Sequence, residues 1–128
     1  MKRKLLLFNF LFALLFLTVA CNQQADINMS EVLGQIEEDL RELDVVETTA
    51  SSFDGESDIK FRLMVKEHLT EEEANILFNK ILESIAQSSN HSDVWDYYNG
   101  YFDIKSYDKG VIYEATKVIG EDLKVTPK

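Results

Sequence analysis

The chain of 128 residues holds one cysteine, one proline and two histidines, and each scarcity removes a class of chemistry. A lone Cys21 allows no disulfide within the chain and no thiolate zinc cage. His68 and His91 stand outside any HExxH pattern and read as structural or merely exposed side chains. The five glycines form no phosphate-cradling run, and no GxSxG or DxDxDG motif occurs. Asp93, Asp96, Asp103 and Asp108 are spaced for no known calcium loop. A glycosidase-like acid pair could be drawn at will from the 23 carboxylates, so none is marked out. The expectation is a protein without catalysis, metal or diffusible cofactor.

Positive charge is also scarce. Thirteen Lys and Arg face 23 Asp and Glu, for a net charge of −10. Such a chain is repelled by nucleic-acid phosphates and by anionic headgroups, so nucleic acid is not an expected partner. A cationic partner fits better, and the plainer alternative is that acidity keeps the protein soluble.

Positive charge and apolar length do meet at the start, in MKRKLLLFNFLFALLFLTVAC. Lys2, Arg3 and Lys4 precede an apolar run from Leu5 to Ala20, interrupted by Asn9 and Thr18, and Cys21 follows the small Ala20. The run falls short of the roughly 20 apolar residues that a spanning helix needs. Ordinary secretion would leave an unpaired thiol in an oxidising compartment. The segment resembles a type II signal peptide with the lipobox Thr18-Val19-Ala20-Cys21, with Thr18 where that family usually has Leu. The resemblance implies cleavage between Ala20 and Cys21, a diacylglyceryl group on the Cys21 sulfur, and an N-terminal amine open to acylation. Two acyl chains anchor stably where one holds only marginally. It also implies an extracytoplasmic place on the cell membrane, with lipid as one partner.

The expected division is a signal peptide at 1–20, a lipid-anchored tether at 21–28 and one α+β domain at 29–128. Cleavage leaves 128 minus 20, or 108 residues, enough for one core without disulfides. The signal carries three of the 13 basic residues and no acid, so the mature charge is 10 minus 23, or −13.

Met29, Val32, Leu33, Ile36, Leu40 and Leu43 recur at helical spacing. Asn28 is a fair N-cap for that helix, and Glu37 stands four residues before Arg41 as a surface pair. The run VVETT and the alternating Ile59, Phe61, Leu63 and Val65 predict a hairpin turning at Asp54-Gly55. Thr70 to Glu73 form a capping box for a second helix, ending near Gln87. Trp95, Tyr97, Phe102 and Ile104 change parity at Asn99-Gly100, so either a one-residue bulge or a tight hairpin turn sits there. A two-residue turn at Asp108-Lys109 pairs Phe102 with Ala115 and Ile104 with Tyr113, which puts Val111 on the core face and Asp103 opposite Glu114. Gly120 is expected to end the last strand, with Lys128 frayed. The order α-β-β-α-β-β predicts an antiparallel sheet with two helices packed on one face.

That packing leaves the other sheet face open. Alternation assigns to it Lys60, Arg62, Met64, Lys66, Tyr98, Tyr101, Lys105, Tyr107 and Ile112. Tyr and Arg are enriched where proteins bind each other, although exposed sheets also favour Tyr and Lys for cross-strand pairing and edge protection. Three functions follow as expectations. The first is a non-enzymatic module that contacts another membrane or secreted protein. In its signal the chain is similar to small lipoproteins of Gram-positive bacteria, some of which serve exclusion or immunity. The second is an inhibitor of a secreted cationic enzyme such as a cell-wall hydrolase, bound through acidic helical residues including Glu38 and Glu42. The third is a small-ligand carrier with a deep pocket near Trp95 and Tyr97.

Overall fold

A computed structural model describes residues 27–128; the signal segment 1–20, Cys21 and the tether as far as residue 26 lie outside the described residues. Helix α1 (Met29–Arg41) begins where the Asn28 side chain accepts the Glu31 N–H at 3.3 Å, and it buries Met29, Val32, Leu33, Ile36 and Leu40. Leu43 falls just past the helix and is half-buried. The expected Glu37–Arg41 surface pair is replaced by contacts to the strand beneath. Glu37 accepts hydrogen bonds from the Thr49 and Ser51 hydroxyls at 3.1 and 3.0 Å, while Arg41 donates to Thr49 Oγ1 at 3.4 Å. Half-buried hydroxyls need acceptors, and the carboxylate supplies them.

Strands β1 (Val46–Phe53) and β2 (Asp58–Val65) form the expected antiparallel hairpin. Its turn is held by Asp54 Oδ1, which accepts the N–H groups of Glu56, Ser57 and Asp58 at 2.8 to 3.1 Å. Those donors hold the Asp54 carboxyl below its ordinary pKa. Gly55, at φ +89°, takes the left-handed step of the turn.

Helix α2 (Glu71–Ser89) has both halves of its capping box. Glu73 N–H donates to Thr70 Oγ1 at 3.2 Å, and Thr70 N–H donates to Glu73 Oε1 at 3.1 Å. The helix runs two residues beyond the expected end because Ser89 turns its hydroxyl back to the Ala86 carbonyl and Asn90 tolerates φ +60° at the C-cap. The bond from Thr70 lowers the Glu73 pKa, so its contribution to stability is present above the ordinary carboxylate range and lost as pH falls through the depressed value. Thr70→Ala is expected to lower stability by about 1 kcal/mol at neutral pH. The gap from the parent should narrow on acidification, which urea unfolding at several pH values would measure.

Contrary to the prediction from the element order, the sheet is not antiparallel throughout. Strand β3 (Asn99–Ser106) runs parallel, not antiparallel, to β2, residue against residue from Asp58↔Asn99 to Val65↔Ser106. The chain leaves one end of β2, returns along α2 and re-enters the sheet from the end where β2 began, so the two strands must share a direction. Neither a bulge nor a hairpin occurs at Asn99-Gly100. Val94–Asp96 form a single 3₁₀ turn, and the Trp95 indole N–H donates to the Leu82 carbonyl at 3.1 Å. Trp95 and Tyr97 therefore precede the strand, which explains the change of parity.

Strand β4 (Gly110–Lys117) pairs with β3 in the expected register, Phe102↔Ala115, Asp103↔Glu114 and Ile104↔Tyr113. The connection differs. Ser106 pairs with Gly110 at φ +72° across a three-residue loop, Tyr107 to Lys109, and the register shifts by one between Ile104 and Lys105. Val111, expected in the core, is only half-buried, and Ile112 is buried instead.

A fifth strand, β5 (Lys124–Pro127), returns antiparallel to β4 where no strand was expected, and Lys128, expected to be frayed, is tied down. Lys128 N–H donates to the Ile112 carbonyl at 2.9 Å. Gly120, at φ +80°, lies in the turn rather than ending a strand. Four residues with Val125 as their one large apolar group carry too little alternation to read as a strand.

The fold is therefore α+β: two helices and a five-stranded, mostly antiparallel sheet in the order β1-β2-β3-β4-β5. Both helical stripes join Ile59, Phe61, Leu63, Val65, Phe102 and Ile104 in one buried cluster. Both helices thus serve a single sheet face, and the opposite face is left to solvent.

Candidate functional site: the open sheet face

The uncovered face is built by alternation. With Ile59, Phe61 and Leu63 turned inward, Lys60 and Arg62 are exposed and Met64 is half-buried. On β3, Phe102 and Ile104 turn inward, which leaves Tyr101 exposed and Asp103 and Lys105 half-buried. The parallel register sets Arg62 directly beside Asp103.

These two side chains form a two-pronged ion pair, Nε to Oδ1 at 2.7 Å and Nη2 to Oδ2 at 2.9 Å. The hydrogen bonds, and then the charge of Asp103, raise the Arg62 pKa above its ordinary value. Asp103 also faces Glu114 across the β3–β4 pair, a repulsive juxtaposition. Each acid turns to a different cation, Asp103 to Arg62 and Glu114 to Lys128 at 3.2 Å.

Around the fork lies a shallow trough of about 620 Å³, lined by Ala50 and Ser52 of β1, Lys60 and Arg62 of β2, Tyr101 of β3 and Thr116 of β4. The short side chains of β1 beside the long ones of β2 and β3 create the depression. Asp103 and Glu114 also line it, matching Lys60 and Arg62 in number; Lys60, Lys105 and, on β5, Lys124 have no salt bridge among the described residues, so the face offers cations with no carboxylate in contact.

Not every residue assigned to this face from the sequence lies on it. Tyr98 is 5% exposed, with its ring edge-on to Phe53 at 5.8 Å, and burial pushes its hydroxyl pKa up. An outward Tyr98 requires a bulge at Asn99-Gly100, and without one it shares the inward parity of Gly100 and Phe102. Ile112 is also 5% exposed and belongs to the core cluster, since the β4 register shift inverts its direction. Lys66 follows β2 and is exposed, and Tyr107 is 77% exposed on the β3–β4 loop. Neither lines the trough; both lie beyond the last β2–β3 pair, Val65↔Ser106.

Sequence reasoning missed Asp103 at the centre of the face and Ala50 and Ser52 at its side. The signal for Asp103 was its parity with Tyr101 and Lys105; what sets it beside Arg62 is the parallel β2–β3 pairing. Asp93, Asp96, Asp103 and Asp108 are dispersed over the 3₁₀ turn, the sheet and the β3–β4 loop. Among the described residues no three His, Cys, Asp or Glu converge.

The His68 ring lies 6.4 Å from that of Tyr113, and His91 N–H bonds to the Ala86 carbonyl. The place suggested for a carrier's pocket is packed: Trp95 meets Phe102 edge-on at 6.0 Å, and Phe102 stacks on Phe78 at 6.5 Å. No helix among the described residues is long and apolar enough to cross a membrane. Compared with family models, curated proteins and solved structures, the chain finds no match.

Proposed function

We propose that this protein is a lipid-anchored interaction module, held on the extracytoplasmic side of the cell membrane through Cys21 and acting by contact rather than by turnover. Its open sheet face binds another membrane or secreted protein, in a role of the exclusion or immunity type. The anchor is supported by the basic, apolar, small-residue and cysteine order of residues 1–21. The observation that carries the binding role is the exposed group Lys60, Arg62 and Tyr101, set around a two-pronged ion pair on a face no helix covers. The Arg62–Asp103 fork orients the guanidinium without filling the trough, and the unpaired lysines beside it attract an acidic partner.

Crosslinking from intact cells tests the face. Tyr101→Glu and Lys60→Glu are each expected to reduce capture of the membrane partner by roughly tenfold or more, the scale of an interface hot spot. Glu38→Lys on α1 should leave capture unchanged. Equal capture by all three, with circular dichroism showing them folded, would reject the face.

A second reading rests on the exposed Glu31, Glu38, Asp39 and Glu42 along α1, which would suit inhibition of a cationic enzyme. It demands the reverse pattern, with loss on Glu38→Lys and steep weakening by salt.

A further inference from the structure

The strand registers line up one row of side chains across the open face. Ser52 pairs with Lys60, Lys60 with Tyr101, Tyr101 with Thr116 and Thr116 with Lys124. Paired residues share a face, so all five point away from the helices. The acids of the flanking rows are engaged elsewhere. On one side Asp103 is held by Arg62 and Glu114 by Lys128. On the other, Asp58 accepts the Asn99 amide at 3.0 Å. Lys60 and Lys124 are exposed and have no salt bridge among the described residues. The row therefore holds two cations and no acid, with the Tyr101 ring and the Thr116 hydroxyl between them.

We propose that this row, on the reading of the open face as the binding surface, takes an extended acidic segment of a partner protein with two carboxylates four residues apart. Neighbouring strands lie about 4.8 Å apart, so Lys60 and Lys124, separated by three such steps, stand about 14 Å from each other. An extended chain rises about 3.3 Å per residue and repeats its face every second residue, so residues i and i+4 point the same way about 13 Å apart. A helix repeats its face at i+7 and i+11, about 10.5 and 16.5 Å along, and matches the row less well. With one carboxylate on Lys60 and the other on Lys124, residue i+2 lands between Tyr101 and Thr116. An apolar side chain there covers the ring of Tyr101, which is 38% exposed.

Titration of the full chain in detergent with capped seven-residue peptides tests this, read by the NMR amide shifts of Lys60, Tyr101, Thr116 and Lys124. A peptide with Glu at positions 2 and 6, Val at position 4 and no other charge is expected to bind at the row. Moving the second Glu to position 5, which turns it to the opposite side, should weaken binding by about three- to fivefold, the scale of one exposed ion pair at its strongest. Lys124→Gln should weaken the first peptide by a similar factor and erase the difference between the two, while Lys80→Gln on α2 should change neither. No shift at the row with either peptide, whether or not inorganic polyphosphate moves it, or affinities that ignore the spacing, overturn the proposal. Capture from cells separates this from the broader reading. Loss on Tyr101→Glu without loss on Lys124→Glu overturns the acidic segment and leaves the face as the binding surface, whereas no loss on either removes both.

Discussion

Phe102→Ala is expected to lower the stability of the fold by about 3–5 kcal/mol, the usual cost of deleting a buried aromatic ring. Phe102 is 3% exposed and lies between Trp95 and Phe78, so its loss opens a cavity lined by both helix and sheet. The same ring folds back over Gly100 in its own strand. A methyl group at Gly100 would meet Phe102 Cζ at less than contact distance and Cε2 at 2.8 Å. The buried ring has no room to swing away, so Gly100→Ala should itself cost on the order of 1–3 kcal/mol, the range for overpacking. The two effects share one volume. In the Phe102→Ala background, Gly100→Ala should be neutral or stabilising, since a methyl then enters empty space and the strand loses a flexible glycine. Urea unfolding of the four-member cycle measures the coupling. Simple additivity would show that the close approach of ring to backbone has no energetic weight.

Tyr113→Phe is expected to cost about 1–3 kcal/mol through the loss of one hydrogen bond. The Tyr113 hydroxyl is buried and donates to the Leu69 carbonyl at 2.7 Å. Leu69 stands one residue before the Thr70 cap, so this bond fastens β4 to the entrance of α2. Removing the hydroxyl strands a buried carbonyl, and the first turn of α2 should open more often, with faster amide exchange there than at Ile81 or Ile85. A change below about 0.5 kcal/mol, the scatter of surface substitutions, would mean that water replaces the hydroxyl without loss.

Where a property depended on near neighbours, the residues announced it. The stripe of α1, the Thr70–Glu73 box, the alternation of β2 and the Phe102↔Ala115 register are all local or hairpin features, and all stand in the structure. The misreadings cluster where a distant segment decides. Trp95 resembles a strand residue until the Leu82 carbonyl claims its indole N–H. Glu37 resembles half of a helix surface pair until two hydroxyls of β1 arrive beneath it. Ile112 alternates outward until a single register shift near Gly110 turns it inward.

The open face shows the same division. Lys60, Arg62 and Tyr101 were legible because period two needs only a strand and an inward-facing side. Asp103 shares that period with Tyr101 and Lys105, but its pairing with Arg62 was not legible, because it joins the two across 41 residues of sequence. Local chemistry determined the helices, the first hairpin and which side chains of β2 and β3 face solvent, since these follow from periodicity and capping within a few residues. Only the tertiary structure decided that β3 lies parallel to β2, that a short fifth strand completes the sheet, and that β1 is left as the open edge. Those outcomes depend on the return path through α2 and on backbone hydrogen bonds between remote segments, and no local pattern encodes either.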